Sequence, residues 1–132
     1  MNEKSLRTLE FNKIKDLLAG YAITALGEAR CQSLLPVARL ADVERMQTET
    51  EEALRVLTYR GDHPLIPFKD VSGQISLSEK GATLSIRALL DVAELLRAAN
   101  AGHKALADDE LERSPRLSAL AARLAPLRSL ER

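Results

Sequence analysis

The sequence predicts an all-α protein, a multi-helix bundle of about six helices in a single domain over residues 1–132. Its composition is 45% hydrophobic but only 3% aromatic, so Leu and Ala, which favour helices, must supply most of the core. Apolar residues recur at spacings of three and four, the period of a helix, and no stretch alternates with the period of two that strands show. A chain of this length can bury about two thirds of its unfolded surface, so a core is expected.

Two short helices are predicted at the start of the chain. The first has Thr8 as its N-cap, an apolar face at helical spacing, and Gly20 as its end. Thr24 is the predicted N-cap of the second helix, which spans about ten residues and is closed by Pro36. The interruption between the two helices is therefore a capped turn that contains Thr24 and Gly27.

A third helix is predicted to run from Asp42, its N-cap, to about Arg60. Residues that could form a narrow helix–helix interface repeat along it at alternating spacings of three and four. These residues are Val43, Met46, Thr50, Ala53 and Leu57. Charged residues lie between them, including the i,i+4 pair Glu51 and Arg55, and we expect one face of the helix to stay in water.

A loop and two helices are predicted next. The segment Gly61–Asp70 contains one Gly and two Pro, which interrupt helices, and it is the predicted main loop. A short helix is expected over Ser72–Glu79. Ser85 is then the predicted N-cap of the longest helix, which extends to about Ala107. This helix is apolar over much of its circumference, so we expect it to be central.

The last predicted helix has Ser114 as its cap, followed by Pro115, and continues to about Leu124. From Arg113 onward the chain has five Arg and one acidic residue, about +4, although the whole chain is neutral with 19 residues of each sign. One interpretation is a solvated, Arg-rich helix face, and the other is nucleic-acid contact. The only candidate contacts are Arg113, Arg116, Arg123, Arg128 and Arg132. The final residues restart a Leu pattern without a stop signal, which suggests the N-terminal piece of a longer protein.

The residues indicate no catalytic centre, no metal site and no cofactor site in this segment. A phosphate-binding loop needs the pair Gly-Lys, which does not occur. His63 and His103 lack partners at metal-ligand spacing, Cys31 has no neighbouring His and reads as a buried thiol, and the acidic run 108–110 is expected to be solvated. The charged N-terminus and the short apolar runs favour a cytoplasmic protein with no membrane partner.

The opening of the chain resembles the start of the bacterial MutS type II family. The matching pieces are Thr8–Phe11, Lys13 with Ile14, Tyr21 with Ala22, Thr24 with Gly27, and Leu34 with Pro36. Glu49–Leu57 is similar to the next helix of that family, and Glu79–Ala99 to its segment in which a Gly turn precedes a long helix. The resemblance covers essentially the whole chain, although the Trp common in mismatch-repair members is absent.

The resemblance implies that this segment is a noncatalytic part of the MutS-type core with the start of the lever region, and that Thr24, Gly27 and Pro36 form a structural joint. It implies a full-length homodimeric ATPase that uses ATP and Mg, with a possible endonuclease domain. Such a protein would suppress homologous recombination on branched DNA or rescue stalled ribosomes. The partners of the segment would be the remainder of that chain and, through it, DNA or the ribosome. A free-standing helical adaptor or dimerisation module is the alternative.

Overall fold

The computed structural model describes residues 3–63, 65–106 and 114–124. Across these ranges there are seven helices and no strand, so the predicted all-α class is confirmed. The contacts divide the chain into two compact units, Met1–Ala38 and Arg39–Arg132, which are described separately below. A single domain over residues 1–132 stays a prediction.

The first unit contains three helices: α1 (Glu3–Thr8), α2 (Phe11–Ala19) and α3 (Ala25–Gln32). The sequence did not predict α1, and the prediction that Thr8 is an N-cap is wrong. The Thr8 hydroxyl donates to the carbonyl of Lys4 at 2.9 Å, because the residue belongs to the last turn of α1. Glu10 occupies the N-cap position of α2 with a positive φ of 51°. The predicted end of α2 at Gly20 is confirmed.

The second unit contains four helices: α4 (Leu40–Arg60), α5 (Ser72–Glu79), α6 (Ile86–Leu106) and α7 (Pro115–Ala122). The predicted bounds of α5 are confirmed. The start of α6 is also confirmed, since the Ser85 hydroxyl accepts the N–H of Ala88 at 3.2 Å. The loop before α5 is non-helical wherever it is described, and α7 begins directly after Ser114. Local signals therefore placed most of the helix ends in this unit.

The N-terminus of α4 differs from the prediction. Arg39 is the N-cap residue in extended conformation, and Asp42 lies inside the first turn, so the prediction that Asp42 is the cap is wrong. Its carboxylate instead lies 3.3 Å from the Arg39 side chain and faces the positive end of the helix dipole. The C-terminus is as predicted: Gly61 follows the last helical residue with φ 72°, which glycine adopts at low cost.

The buried side of α4 is not the interface predicted from the spacing. Glu52 and Val56 are each 2% exposed, whereas Leu57, on the predicted interface, is 42% exposed. Helix α4 packs against α7, and α7 packs against α6. Small apolar residues of α6 and α7, Ala98 and Ala121, are also buried in this unit. The core of the second unit therefore lies where these three helices meet.

Candidate functional site

The turn between α2 and α3 places Thr24 and Gly27 together. Thr24 is extended, with φ −136° and ψ 150°, and its Oγ1 accepts the N–H of Gly27 at 3.0 Å. A Cβ atom at position 27 would lie 3.0 Å from that same oxygen and 3.5 Å from the Cβ of Ala22. Glycine thus allows the backbone of α3 to approach the capping hydroxyl closely.

The other end of this helix pair is also held by hydrogen bonds. The Lys15 ammonium donates to the carbonyl of Gln32 at 2.9 Å, and the Gln32 amide donates to the Asp16 carboxylate at 2.9 Å. A cation at a helix C-terminus is favourable because it faces the negative end of the dipole. Pro36 lies beyond the end of α3 in an exposed non-helical segment, so it does not itself end the helix. The role of these residues as a mechanical joint stays a prediction.

Replacing the capping hydroxyl tests how much the turn contributes to stability. We expect Thr24→Ala to lower the free energy of unfolding by about 1 kcal/mol, because the amide of Gly27 loses its acceptor. Thr24→Ser keeps an acceptor oxygen and should stay within about 0.5 kcal/mol of the unsubstituted chain. Urea unfolding followed by circular dichroism measures both. Equal losses in the two variants would show that the methyl group, not the hydroxyl, stabilises the turn.

Helix α7 is capped by a residue from another helix. Ser114 precedes the helix and is fully buried, yet its hydroxyl has no hydrogen-bond partner among the described residues, so the prediction that Ser114 caps with its side chain is wrong. The next residue is Pro115, which has no N–H to satisfy. The following two amides, of Arg116 and Leu117, donate to Oε2 of Glu52 at 3.0 and 2.9 Å. A single buried carboxylate of α4 thus satisfies the first turn of α7.

The C-terminal end of α7 is bound to α6. Nδ1 of His103 lies 2.9 Å from the carbonyl of Ala121, a residue with no exposed surface. Because a carbonyl can only accept, the imidazole must carry its proton on Nδ1. A further bond runs from the Arg60 guanidinium to the carbonyl of Ala105 at 3.1 Å and joins the ends of α4 and α6. The three helices of the core are therefore connected pairwise by hydrogen bonds from charged or polar side chains.

Two of the five predicted arginine contacts lie in the described part of the chain. Arg116 lies in the first turn of α7, and Arg123 is the C-cap residue directly after it, with helical backbone angles; both are exposed. Arg113, Arg128 and Arg132 lie outside the described residues, and so does the acidic run 108–110. The role of the arginines in nucleic-acid contact stays a prediction.

The described residues show no arrangement typical of catalysis. Among them no group of three His, Cys, Asp or Glu side chains could hold a metal ion. The imidazole of His63 is 3.1 Å from the carbonyl of Leu65, and Cys31 is half-buried rather than buried as predicted. The described helices include none that has both the length and the apolar character needed to cross a membrane.

Two carboxylates, Asp70 and Asp91, hold the end of the loop that precedes α5. The hydroxyl of Ser72 at 2.5 Å, with its backbone N–H at 2.9 Å, lowers the pKa of Asp70 by stabilising the charged form. Asp91, 8% exposed, accepts from the ammonium of Lys69 at 2.7 Å and lies 3.6 Å from Arg87. The hydrogen bond between Lys69 and Asp91 connects this loop to α6, 22 residues later in the sequence.

The two buried carboxylates, Glu52 and Asp91, were not predicted from the sequence. For Asp91 the signal was its i,i+4 spacing from Arg87. For Glu52 the signal was indirect: the first turn of α7 contains no acidic residue, and Pro115 precedes two amides that require an acceptor. Which residue supplies that acceptor depends on how α4 and α7 pack, and this cannot be read from either helix alone.

Comparison with known proteins gives relatives for nearly the whole chain. "Endonuclease MutS2" of Clostridium beijerinckii is 40% identical over 132 residues, which is 99% of this chain and 17% of that protein. The protein of the same name from Clostridium novyi is 39% identical over 99% of the chain, and the one from Clostridium perfringens is 43% identical over 73%. The chain thus spans about a sixth of the length of the first of these relatives. No family model and no solved structure matches it.

Proposed function

We propose that this chain is a noncatalytic helical scaffold that transmits movement between other parts of a longer protein of the MutS type II family. The chain belongs to that family over the part that it spans, about a sixth of its relatives' length. The relatives are named endonucleases, and the whole-protein activity is proposed here to reside outside this segment. ATP and Mg would bind elsewhere in a homodimeric parent that acts on DNA or on the ribosome. The segment itself holds and orients helices.

The observation that carries this proposal is the buried carboxylate of Glu52. It accepts two amides of α7 while being 2% exposed, so displacing α7 would leave a buried charge without its donors. His103 holds the opposite end of the same helix through Ala121. A helix fixed at both ends moves as one body with its neighbours, which is the property that a force-transmitting segment needs.

The experiment places this chain in the Clostridium beijerinckii protein, in place of the aligned segment, to which it is 40% identical. We expect the chimera to keep the nuclease activity of the parent, because the scaffold depends on internal packing. Glu52→Ala in the chimera should reduce that activity at least tenfold while the protein stays folded by circular dichroism. Glu44→Ala, an exposed change on the same helix, is the matched control.

Two results would contradict the scaffold role. One is ATP hydrolysis or nucleic-acid cleavage by the purified chain on its own, since a scaffold has no catalytic centre. The other is a Glu52→Ala chimera with undiminished activity, because the transmission of movement would then not depend on the bond between α4 and α7.

A second candidate is direct nucleic-acid binding through the arginine-rich end of the chain. The exposure of Arg116 in α7 and of Arg123 at its C-terminal end favours it. With all five arginines in contact with phosphates, the logarithm of the affinity for duplex DNA should fall with the logarithm of the salt concentration at a slope of about −4 to −5. Absence of binding at about 50 mM salt would exclude this function.

A further inference from the structure

A cleft of about 550 Å³ lies beside α1 and α2 in the first unit, a volume typical of ligand sites. Three of the side chains that line it are basic, namely Lys4, Arg7 and Lys15. Three others are apolar, namely Leu6, Phe11 and Leu35. Among the lining residues whose side chains are described, none is acidic. We refer to these six residues as the α1–α2 cleft.

Helical spacing explains why the cations gather there. Lys4 and Arg7 are three residues apart on α1, and Phe11 and Lys15 are four apart on α2, so each pair shares one side of its helix. The Lys15 ammonium lies 5.9 Å from the centre of the Phe11 ring and donates to the carbonyl of Gln32. The position of this cation is therefore fixed by two contacts.

The acidic residues of α2 are engaged elsewhere. Glu10 pairs with Lys13 at 2.6 Å, and Asp16 accepts from Gln32 at 2.9 Å. Neither carboxylate lines the α1–α2 cleft. Lys4 and Arg7 have no ion pair with any of the described residues. The cleft therefore carries positive charge that this part of the chain does not neutralise.

We propose that the α1–α2 cleft binds single-stranded nucleic acid, with its phosphates at the three cations and one unpaired base against the apolar residues. The combination of cations with an aromatic ring is that of proteins which bind single strands without sequence preference. A duplex is a poorer occupant, because its stacked bases do not offer an apolar face to Leu6, Phe11 and Leu35. An apolar segment of protein is also poorer, because it would bury three cations without partners.

Fluorescence anisotropy of the 132-residue chain with an oligothymidine of about 20 nucleotides tests the proposal. Three phosphate contacts predict a slope of log affinity against log salt of about −2, from about −0.7 per contact on single strands. Replacing Lys4 and Arg7 together by Glu should lower the affinity at least tenfold and bring the slope to about −0.7. Phe11→Leu should lower the affinity about fivefold and leave the slope unchanged.

The matched control is Lys13→Glu together with Arg30→Glu, which changes the net charge of the same unit equally but lies outside the cleft. It should lower the affinity less than threefold. Equal losses in both double variants, tighter binding to the duplex of the same sequence, or loss only after Arg116→Glu with Arg123→Glu would each overturn the proposal. So would the absence of single-strand binding at about 50 mM salt. The scaffold role of the second unit does not depend on this result.

Discussion

Glu52→Ala should lower the free energy of unfolding of the chain by about 3 kcal/mol, since two amides of α7 lose a charged acceptor in a buried position. Each hydrogen bond to a charged group contributes roughly 1.5 to 3 kcal/mol, and the two share one oxygen, so their contributions do not add fully. Urea unfolding followed by circular dichroism measures the loss. Hydrogen exchange should show faster exchange at the amides of Arg116 and Leu117 in particular.

Two further variants separate the causes of this loss. Glu52→Gln keeps an oxygen at the same place but removes the charge, and we expect a smaller loss of about 1 to 2 kcal/mol. Glu44→Ala removes an exposed carboxylate from the same helix and should change stability by less than about 0.5 kcal/mol. If Glu52→Ala behaved like Glu44→Ala, the bond between α4 and α7 would not stabilise the second unit.

The helices could be predicted from the sequence because their ends depend on a few adjacent residues. Ser85 caps α6 and Gly61 ends α4, and both positions were identified from residue type alone. The errors at Thr8 and Asp42 came from capping residues that lie inside a helix, where their side chains make other contacts. Residue type therefore locates a helix end to within a turn but does not show which side chain caps it.

The buried face of α4 could not be predicted, because burial depends on the partner helix. Apolar spacing favoured the side with Met46 and Leu57, whereas the structure buries Glu52 and Val56. A buried glutamate is rare unless it has a partner, and here the partner is the backbone of a helix more than 60 residues later in the chain. The contact between Glu52 and the first turn of α7 was not predicted for the same reason, because neither the glutamate nor the two amides is unusual within its own helix.

The α1–α2 cleft could not be predicted either. A helix start was predicted at Thr8, so Lys4 and Arg7 lay outside every predicted helix, whereas both belong to α1. Because α1 forms, its basic residues Lys4 and Arg7 line the same cleft as Phe11 and Lys15 of α2. Besides the C-terminal arginines, the chain thus has a second cluster of basic residues, near its N-terminus.

Ala121→Leu should lower the free energy of unfolding by about 2 to 3 kcal/mol. Ala121 has no exposed surface, and its carbonyl accepts the imidazole of His103, so a larger side chain must push α7 away from the helices that hold it. Ala122→Leu makes the same chemical change on the neighbouring residue, which is exposed, and should alter stability by less than about 0.5 kcal/mol. The two variants have the same composition, so their difference in urea unfolding reports burial alone.

The nitrogen resonances of His103 provide a second measurement. In the unsubstituted chain and in Ala122→Leu, Nδ1 should carry the proton that it donates to Ala121, whereas Ala121→Leu should lengthen or break this bond and shift the tautomer equilibrium. A stability loss without any change at His103 would mean that α7 accommodates the leucine by moving at its N-terminus, against Glu52. Equal stability of the two leucine variants would contradict the close packing of α6 and α7, and with it the rigid three-helix core on which the scaffold proposal rests.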